Sequence, residues 1–191
     1  MKPVQVIILS LFAVLVSATI WPINLLSRKI EPLPTIAALK DFSLTDSNNS
    51  EFSSSKLAGK VWLANFFFTS CGGICPFMTG ELRKIFQRFG EREDLHFVSI
   101  TVDPLRDSPS ALKEYANNFD IDVPRWHFLT GQAERINDIS LKGFMIGNID
   151  DPSFHSDRIV LIDREQKIRG YYSSADEEAL KKLVRDIEAV L

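Results

Sequence analysis

Two cysteines four positions apart follow an apolar run, and this junction constrains the chain more than any other feature. The run is Val61–Phe68, and the junction reads Cys71-Gly72-Gly73-Ile74-Cys75-Pro76, with no other cysteine among the 191 residues. An apolar run without alternation predicts a strand that is covered on both faces. A proline in a first helical turn predicts a helix start close to Cys75, where free N–H groups favour a thiolate. Because Gly-Gly is a poor core element, we interpret the pair as chemically active rather than as two buried apolar side chains.

The bulk composition excludes several classes of protein. A hydrophobic fraction of 45% and a charged fraction of 25% over 191 residues predict one globular domain of about 150 residues with an appendage. The net charge of −3, without a basic stripe, argues against a nucleic-acid partner. Three histidines and two cysteines limit any metal chemistry to a single small site.

The N-terminal segment differs from the rest of the chain. Residues 6–21 carry no charge and residues 22–26 extend the run, which makes about 20 residues, enough to cross a hydrocarbon core of about 30 Å. We predict a membrane anchor over residues 1–27, a linker over 28–40 and the domain over 41–191. The alternative is a cleaved signal peptide, with Val16-Ser17-Ala18 resembling a cleavage site. Provided that the N-terminus stays in the cytoplasm, both alternatives export the domain, and we expect a single-pass inner-membrane protein whose domain faces the periplasm.

Hydrophobic periodicity predicts an α/β domain with alternating strands and helices. Strands are predicted over 41–44, 61–68, 95–102 and 125–129, followed by a hairpin of 158–162 with 167–172. Helices are predicted over 77–89, 107–119, 133–142 and 175–191, and the serine-rich residues 46–55 are predicted to form a loop. With a cysteine pair at a strand-to-helix junction, this order predicts a thioredoxin-like fold, with a central mixed sheet flanked by helices.

The spacing of Cys71 and Cys75 favours metal binding, although a redox role stays open. Thioredoxin-type redox pairs separate their cysteines by two residues, whereas three separate them here. A structural zinc site needs four ligands, more than this pair and one histidine supply. Cu⁺ accepts two or three soft ligands and prefers thiolates. The sequence therefore predicts a two-cysteine site completed by one histidine, with copper as the metal.

Three histidines compete for the third position. His155 lies in an irregular stretch beside acidic residues, which suits a ligand with an orienting partner. His96 and His127 lie inside predicted strands, where a structural role is more common. The residues alone favour His155 and leave the other two as alternatives.

Four segments of this chain resemble the Sco/SenC family, thioredoxin-like proteins that are tied to the assembly of cytochrome c oxidase. Residues 68–76 resemble the family's copper motif, and 99–108 resemble its S-x-D-P-x-x-D segment with one inserted position at Thr101. Residues 126–131 are similar to its W-x-F-L-T-G strand, and His155 stands where the family has its distal histidine ligand. The similarity spans about Phe42 to Leu191, and the N-terminal anchor also fits.

The resemblance implies a specific function. Cys71, Cys75 and His155 would bind copper, and the protein would be a membrane-tethered chaperone that delivers it to the binuclear copper centre of cytochrome c oxidase. The implied partners are the copper-bearing subunit of the oxidase, an upstream copper donor and a thiol reductant. One departure is that Gly72-Gly73 replaces the Pro-Asp that relatives often carry between the cysteines, so the metal affinity and thiol potential are expected to differ.

A thiol-disulfide reductase is the alternative function, with Cys71 and Cys75 as the redox-active catalytic pair and the cysteines of the oxidase or of another exported protein as substrate. A peroxiredoxin is disfavoured because the proline and threonine that precede its cysteine are not at the required spacing. Asp103 is a candidate neighbour of the site or a turn former. Arg106 and Asp107 are expected to serve the turn and the following helix cap.

Overall fold

A computed structural model describes residues 33–90, 92–121, 124–146 and 157–191. The predicted anchor over 1–27 and the candidate ligand His155 lie outside the described residues. Within the described ranges, no helix is long and apolar enough to cross a membrane.

A mixed sheet organises the described part of the chain. Its eight strands are β1 (Ala37–Ala38), β2 (Ser43–Asp46), β3 (Glu51–Ser53), β4 (Val61–Phe67), β5 (Leu95–Thr101), β6 (Trp126–Thr130), β7 (Arg158–Ile162) and β8 (Lys167–Ser173). They lie in the order β1-β8-β7-β4-β5-β6-β2-β3. β4, β5 and β6 are parallel, and every other neighbouring pair is antiparallel. The predicted mixed central sheet is confirmed.

Four helices flank the sheet in the described ranges. They are α1 (Ile74–Arg88), α2 (Pro109–Asn118), α3 (Ala133–Asp138), which continues as a π-helical turn over Ile139–Gly143, and α4 (Glu177–Val190). Local capping explains two of the starts. Ser108 Oγ accepts the N–H of Ala111, with Pro109 as the first residue of α2. Asp176 caps α4 by accepting two N–H groups of its first turn.

Both faces of β4 are buried, as its apolar run predicts. Val61, Leu63 and Phe67 join a core with α1, α2 and α4, which we call the cysteine face because Cys71 and Cys75 belong to it. Trp62, Ala64 and Phe66 join a second core with α3 and its π-helical turn, which we call the opposite face. On that face the Phe144 ring is buried edge-on against Trp62 and Phe66, with centroids 6.0 and 5.3 Å apart.

The structure differs from the sequence prediction mainly before β4. The predicted loop over 46–55 contains the hairpin turn and β3, because the Asp46 carboxylate accepts the N–H groups of Asn48 and Ser50 and closes a tight turn. Phe52 on β3 is then buried against the opposite face. Within the predicted linker over 28–40, β1 pairs with β8 and Leu39 is buried.

Candidate metal and thiol site

The cysteine pair lies where β4 leaves the sheet and α1 begins. Cys71 lies in the connecting loop, with its N–H bonded to the carbonyl of Phe68 at 3.2 Å, and Gly73 is the N-cap of α1. The helix begins three residues earlier than predicted, so that Cys75 lies in its first turn. Both cysteines are reduced thiols, with 8% of Cys71 and 0% of Cys75 exposed. A Cβ added at Gly72 or Gly73 would contact nothing within 4 Å, so the outer side of the loop is open.

The two thiols differ in acidity, and in the reverse of the order that the sequence suggested. Burial opposes ionisation of Cys71, but hydrogen bonds from the Cys75 thiol and from the N–H groups of Cys75, Gly73 and Ile74 outweigh it and lower the pKa of Cys71. Burial, together with the hydrogen bond to Cys71, raises the pKa of Cys75 to about 12. The prediction of a thiolate at Cys75 is therefore wrong. The helix N-terminus stabilises the charge on Cys71, which faces those N–H groups from the preceding loop.

A buried carboxylate holds the base of this loop. Asp107 is fully buried and accepts three hydrogen bonds: from the Thr69 N–H at 3.0 Å, the Thr69 hydroxyl at 2.5 Å and the Thr101 hydroxyl at 2.5 Å. These bonds tie the segment before Cys71 to the end of β5. Asp107 was predicted to serve the turn and the helix cap, but Ser108 caps α2 and Asp107 anchors the cysteine loop instead.

Aromatic and aliphatic side chains form the floor beneath the thiols. The Tyr115 ring lies 5.0 Å from Phe67, and its hydroxyl is hydrogen-bonded to that of Thr79 at 2.9 Å. Burial, with the nearby thiols and Asp107 adding to it, raises the pKa of Tyr115 to about 12. The pair is therefore buried against packed aromatic side chains, and the free space lies around Gly72 and Gly73 of the loop.

His96 and His127 lie away from the cysteines. Each lies on the opposite face of the sheet, since Val98 and Leu129, two positions further along the same strands, belong to that core. His96 also pairs in register with Trp62, near the start of β4, whereas the cysteines follow its end. Without a large rearrangement, neither ring reaches the thiols.

The described residues resume at Asp157, two positions after His155. In space, Asp157 lies near the C-terminal end of β4, the end that is followed by the cysteines. Ile159 of β7 pairs with Asn65 in the antiparallel register, which puts the start of β7 beside the end of β4. Asp157 is fixed there because its carbonyl accepts the Ser174 N–H at 2.8 Å and its carboxylate accepts the Ser173 hydroxyl.

Asp103, which was a candidate neighbour of the site, has a local role in a turn. The Asp103 N–H donates to Thr101 Oγ1 at 3.0 Å, and its carboxylate pairs with Arg106 at 3.2 Å, so its described contacts are those of a turn former. Among the described residues, no group of three or more histidine, cysteine or acidic side chains is arranged to hold a metal ion.

Sequence reasoning missed the tie between Thr69, Thr101 and Asp107. Thr69 and Asp107 are 38 positions apart, and only the parallel pairing of β4 with β5 brings them together. The one signal was that both stretches belong to segments that resemble a known family.

Comparison with known proteins gives one consistent result. The SCO1/SenC family model matches residues 31–191. A SCO2-like protein of Rickettsia conorii is 35% identical over 156 residues, which are 76% of this chain and 75% of that protein.

Solved structures share the fold. BsSco, described as a member of the Sco family of cytochrome c oxidase assembly proteins with a disulfide switch, superposes with a TM-score of 0.72 at 27% identity, covering 83% of this chain and 96% of that one. Copper-bound yeast Sco1 has a TM-score of 0.65 at 25% identity, covering 83% and 97%. The thioredoxin-like, mixed α/β fold is confirmed.

Proposed function

Because the chain belongs to the SCO1/SenC family, we propose that it binds copper through Cys71, Cys75 and His155 and passes the metal to the binuclear copper centre of cytochrome c oxidase. The observation that carries the proposal is the pair of reduced, adjacent thiols beside the Gly72-Gly73 loop, at the end of β4. Yeast Sco1 has been solved with copper bound, and BsSco is described among oxidase assembly proteins.

The donor set suits a cuprous ion. Two thiol sulfurs and one imidazole are the soft and borderline ligands that Cu⁺ prefers, and three donors suffice for it. The low pKa of Cys71 makes the first thiolate available, and metal binding would displace the proton of Cys75 despite its raised pKa. A three-donor site leaves room for a ligand of the acceptor, so the ion can pass by ligand exchange.

Chain geometry supports His155 as the third donor. From His155 to Asp157 an extended chain spans at most about 7 Å, and Asp157 is anchored at the cysteine end of the sheet. His96 and His127 lie on the opposite face, so His155 is the histidine that can approach the thiols with the least rearrangement.

Copper analysis of the reduced full-length chain tests the proposal. We expect one Cu⁺ per chain, a strong loss in Cys71→Ser and Cys75→Ser, and weakened binding in His155→Ala. Ser70→Ala is the matched control, because this exposed neighbour of Cys71 is not a proposed ligand. Undiminished Cu⁺ in the double cysteine variant would refute the thiol site. Transfer of Cu⁺ to the isolated copper-bearing domain of the oxidase tests delivery separately.

The unequal thiols favour a second candidate function, a thiol-disulfide reductase. The Cys71 thiolate would attack a substrate disulfide, forming a mixed disulfide and releasing one substrate thiol. Cys75, after losing its proton, would attack Cys71 and release the second thiol. The substrate disulfide is thereby reduced by two electrons while the pair becomes a disulfide. Turnover by metal-free protein that persists in His155→Ala would support this function, and an inactive metal-free protein would exclude it.

Membrane attachment is part of the same proposal. The uncharged run in residues 6–21 would hold the domain at the outer side of the inner membrane, where the oxidase would receive its copper. Protease treatment of spheroplasts tests this arrangement. Cleavage of the domain from outside would agree with it, and protection would contradict it.

A further inference from the structure

A pair of histidines lies on the opposite face of the sheet, apart from the cysteine site. His96 is on β5 and His127 is on the neighbouring strand β6. Val98 pairs in register with His127, so that the two histidines are diagonal neighbours. Their rings are parallel to within 4°, with centroids 5.9 Å apart, and both are half-buried.

This separation suits two imidazoles that share one metal ion. With a metal–nitrogen distance of about 2.0–2.1 Å, each ring centroid lies about 3.2 Å from the ion. Two such rings are then about 5.2 Å apart at a tetrahedral angle and about 6.4 Å apart when they face each other across the ion. The observed 5.9 Å falls between these limits. The side chains would need to turn, but the strands would not need to move.

One ring atom of the pair is also left unsatisfied. Nδ1 of His96 is buried and has no hydrogen-bond partner in the described part of the chain. An unsatisfied buried polar atom is destabilising, because it has lost its hydrogen bonds to water without replacing them. A metal ion at this position would satisfy it.

Burial keeps both rings in the form that binds metals. It lowers the pKa of His127 to about 4, and it also lowers the pKa of His96, with Lys60 adding to the effect. A hydrogen bond with the Glu93 backbone opposes this effect on the pKa of His96 without outweighing it. Neutral imidazole is the ligand form, so neither ring needs to lose a proton near pH 7.

We propose that His96 and His127 form a second metal site, which holds a divalent transition-metal ion between their imidazoles. Water would complete the coordination, because no third histidine, cysteine or acidic ligand is arranged around the pair in the described residues. Imidazole suits Cu²⁺, Ni²⁺ and Zn²⁺, and among these Cu²⁺ binds most tightly to a given nitrogen site. The site is independent of the thiol pair, which lies on the other face and selects Cu⁺.

Cu²⁺ titration of a full-length chain without cysteines tests the proposal. In detergent, the Cys71→Ser/Cys75→Ser chain lacks the thiol site, so the result does not depend on the function proposed above. The comparison adds His96→Gln, His127→Gln and, as the control, Glu114→Gln at an exposed position of α2, which packs on the cysteine face. Electron paramagnetic resonance counts the nitrogen ligands, and circular dichroism verifies that each variant is folded.

We expect one Cu²⁺ with two nitrogen ligands, at an affinity that falls in His96→Gln and in His127→Gln and is unchanged in Glu114→Gln. Loss of an outer-shell partner already weakens metal binding by about 10–100-fold, so loss of a ligand should cost at least about tenfold. Equal affinity in the parent and in both histidine variants, or an equal loss in Glu114→Gln, would overturn the proposal.

A second measurement tests the site even if one of the histidine variants fails to fold. In the nitrogen NMR spectrum of the cysteine-free chain, Zn²⁺ should shift the imidazole signals of His96 and His127 together. A shift of neither signal, or of the His155 signal alone, would overturn the site without any histidine substitution.

Discussion

Selective alkylation of one cysteine follows from the unequal acidity of the pair. The pKa of Cys75 is raised to about 12, and that of Cys71 is lowered from 9.0, so the two differ by at least about 3 pH units. At neutral pH the thiolate fraction of Cys71 is therefore at least about a thousandfold larger. A more basic thiolate is more nucleophilic, with a Brønsted coefficient of about 0.4–0.5. The thiolate of Cys75 should therefore react about 15–30 times faster than that of Cys71, which offsets part of the difference in thiolate fraction. The net preference for Cys71 is at least about thirtyfold.

Iodoacetamide applied to the reduced chain at pH 7 measures this preference. Both cysteines lie in one proteolytic peptide. Tandem mass spectrometry cleaves the backbone of this peptide between Gly72 and Ile74, and the masses of the two fragments show which thiol is modified. Full burial of Cys75 should widen the gap further, because the reagent cannot reach its sulfur without local opening. Equal rates at the two cysteines, or faster modification of Cys75, would refute the assignment of charge to Cys71.

Three further predictions concern stability, each measured by urea unfolding. Asp107→Asn should lower the free energy of unfolding by about 2 kcal/mol, because hydrogen bonds to a buried charged acceptor contribute about 1.5–3 kcal/mol. Asp103→Asn, at a surface ion pair, should cost under about 1 kcal/mol, and equal losses would contradict the anchoring role of Asp107. Phe144→Ala should cost about 3–5 kcal/mol, because this fully buried ring touches three aromatic neighbours, and a loss below about 1 kcal/mol would contradict that packing. The unfolded pKa of His127 is near 6.5 and the folded pKa about 4, so the unfolded state binds more protons between these values. Stability should therefore fall as the pH drops from about 6.5 to 4, by at most about 3 kcal/mol, and His127→Gln should flatten this profile.

The sequence predicts those parts of the fold whose causes are local. The run Val61–Phe68 predicts the central strand because a strand buried on both faces needs no polar alternation. Pro109 indicates the start of α2, since a proline suits the first turn of a helix. By contrast, β3 was missed because serines and asparagines surround its one buried residue, Phe52.

The position of the cysteine pair at the junction of β4 and α1 is predictable from the sequence, but the acidity of its thiols is not. The sequence favoured a thiolate at Cys75, near the helix start, whereas the structure raises the pKa of Cys75 and lowers that of Cys71. The difference arises from burial and from which sulfur faces the free N–H groups. The role of Asp107 depends on Thr69, which only the sheet brings close.

X-ray absorption at the copper edge tests the central claim most directly. With Cu⁺ bound to the reduced full-length chain, we expect a first coordination sphere of two sulfurs and one nitrogen. The nitrogen should disappear in His155→Ala and remain in His96→Ala and His127→Ala. A sphere without sulfur, or one that His155→Ala leaves unchanged, would contradict the proposed three-donor site.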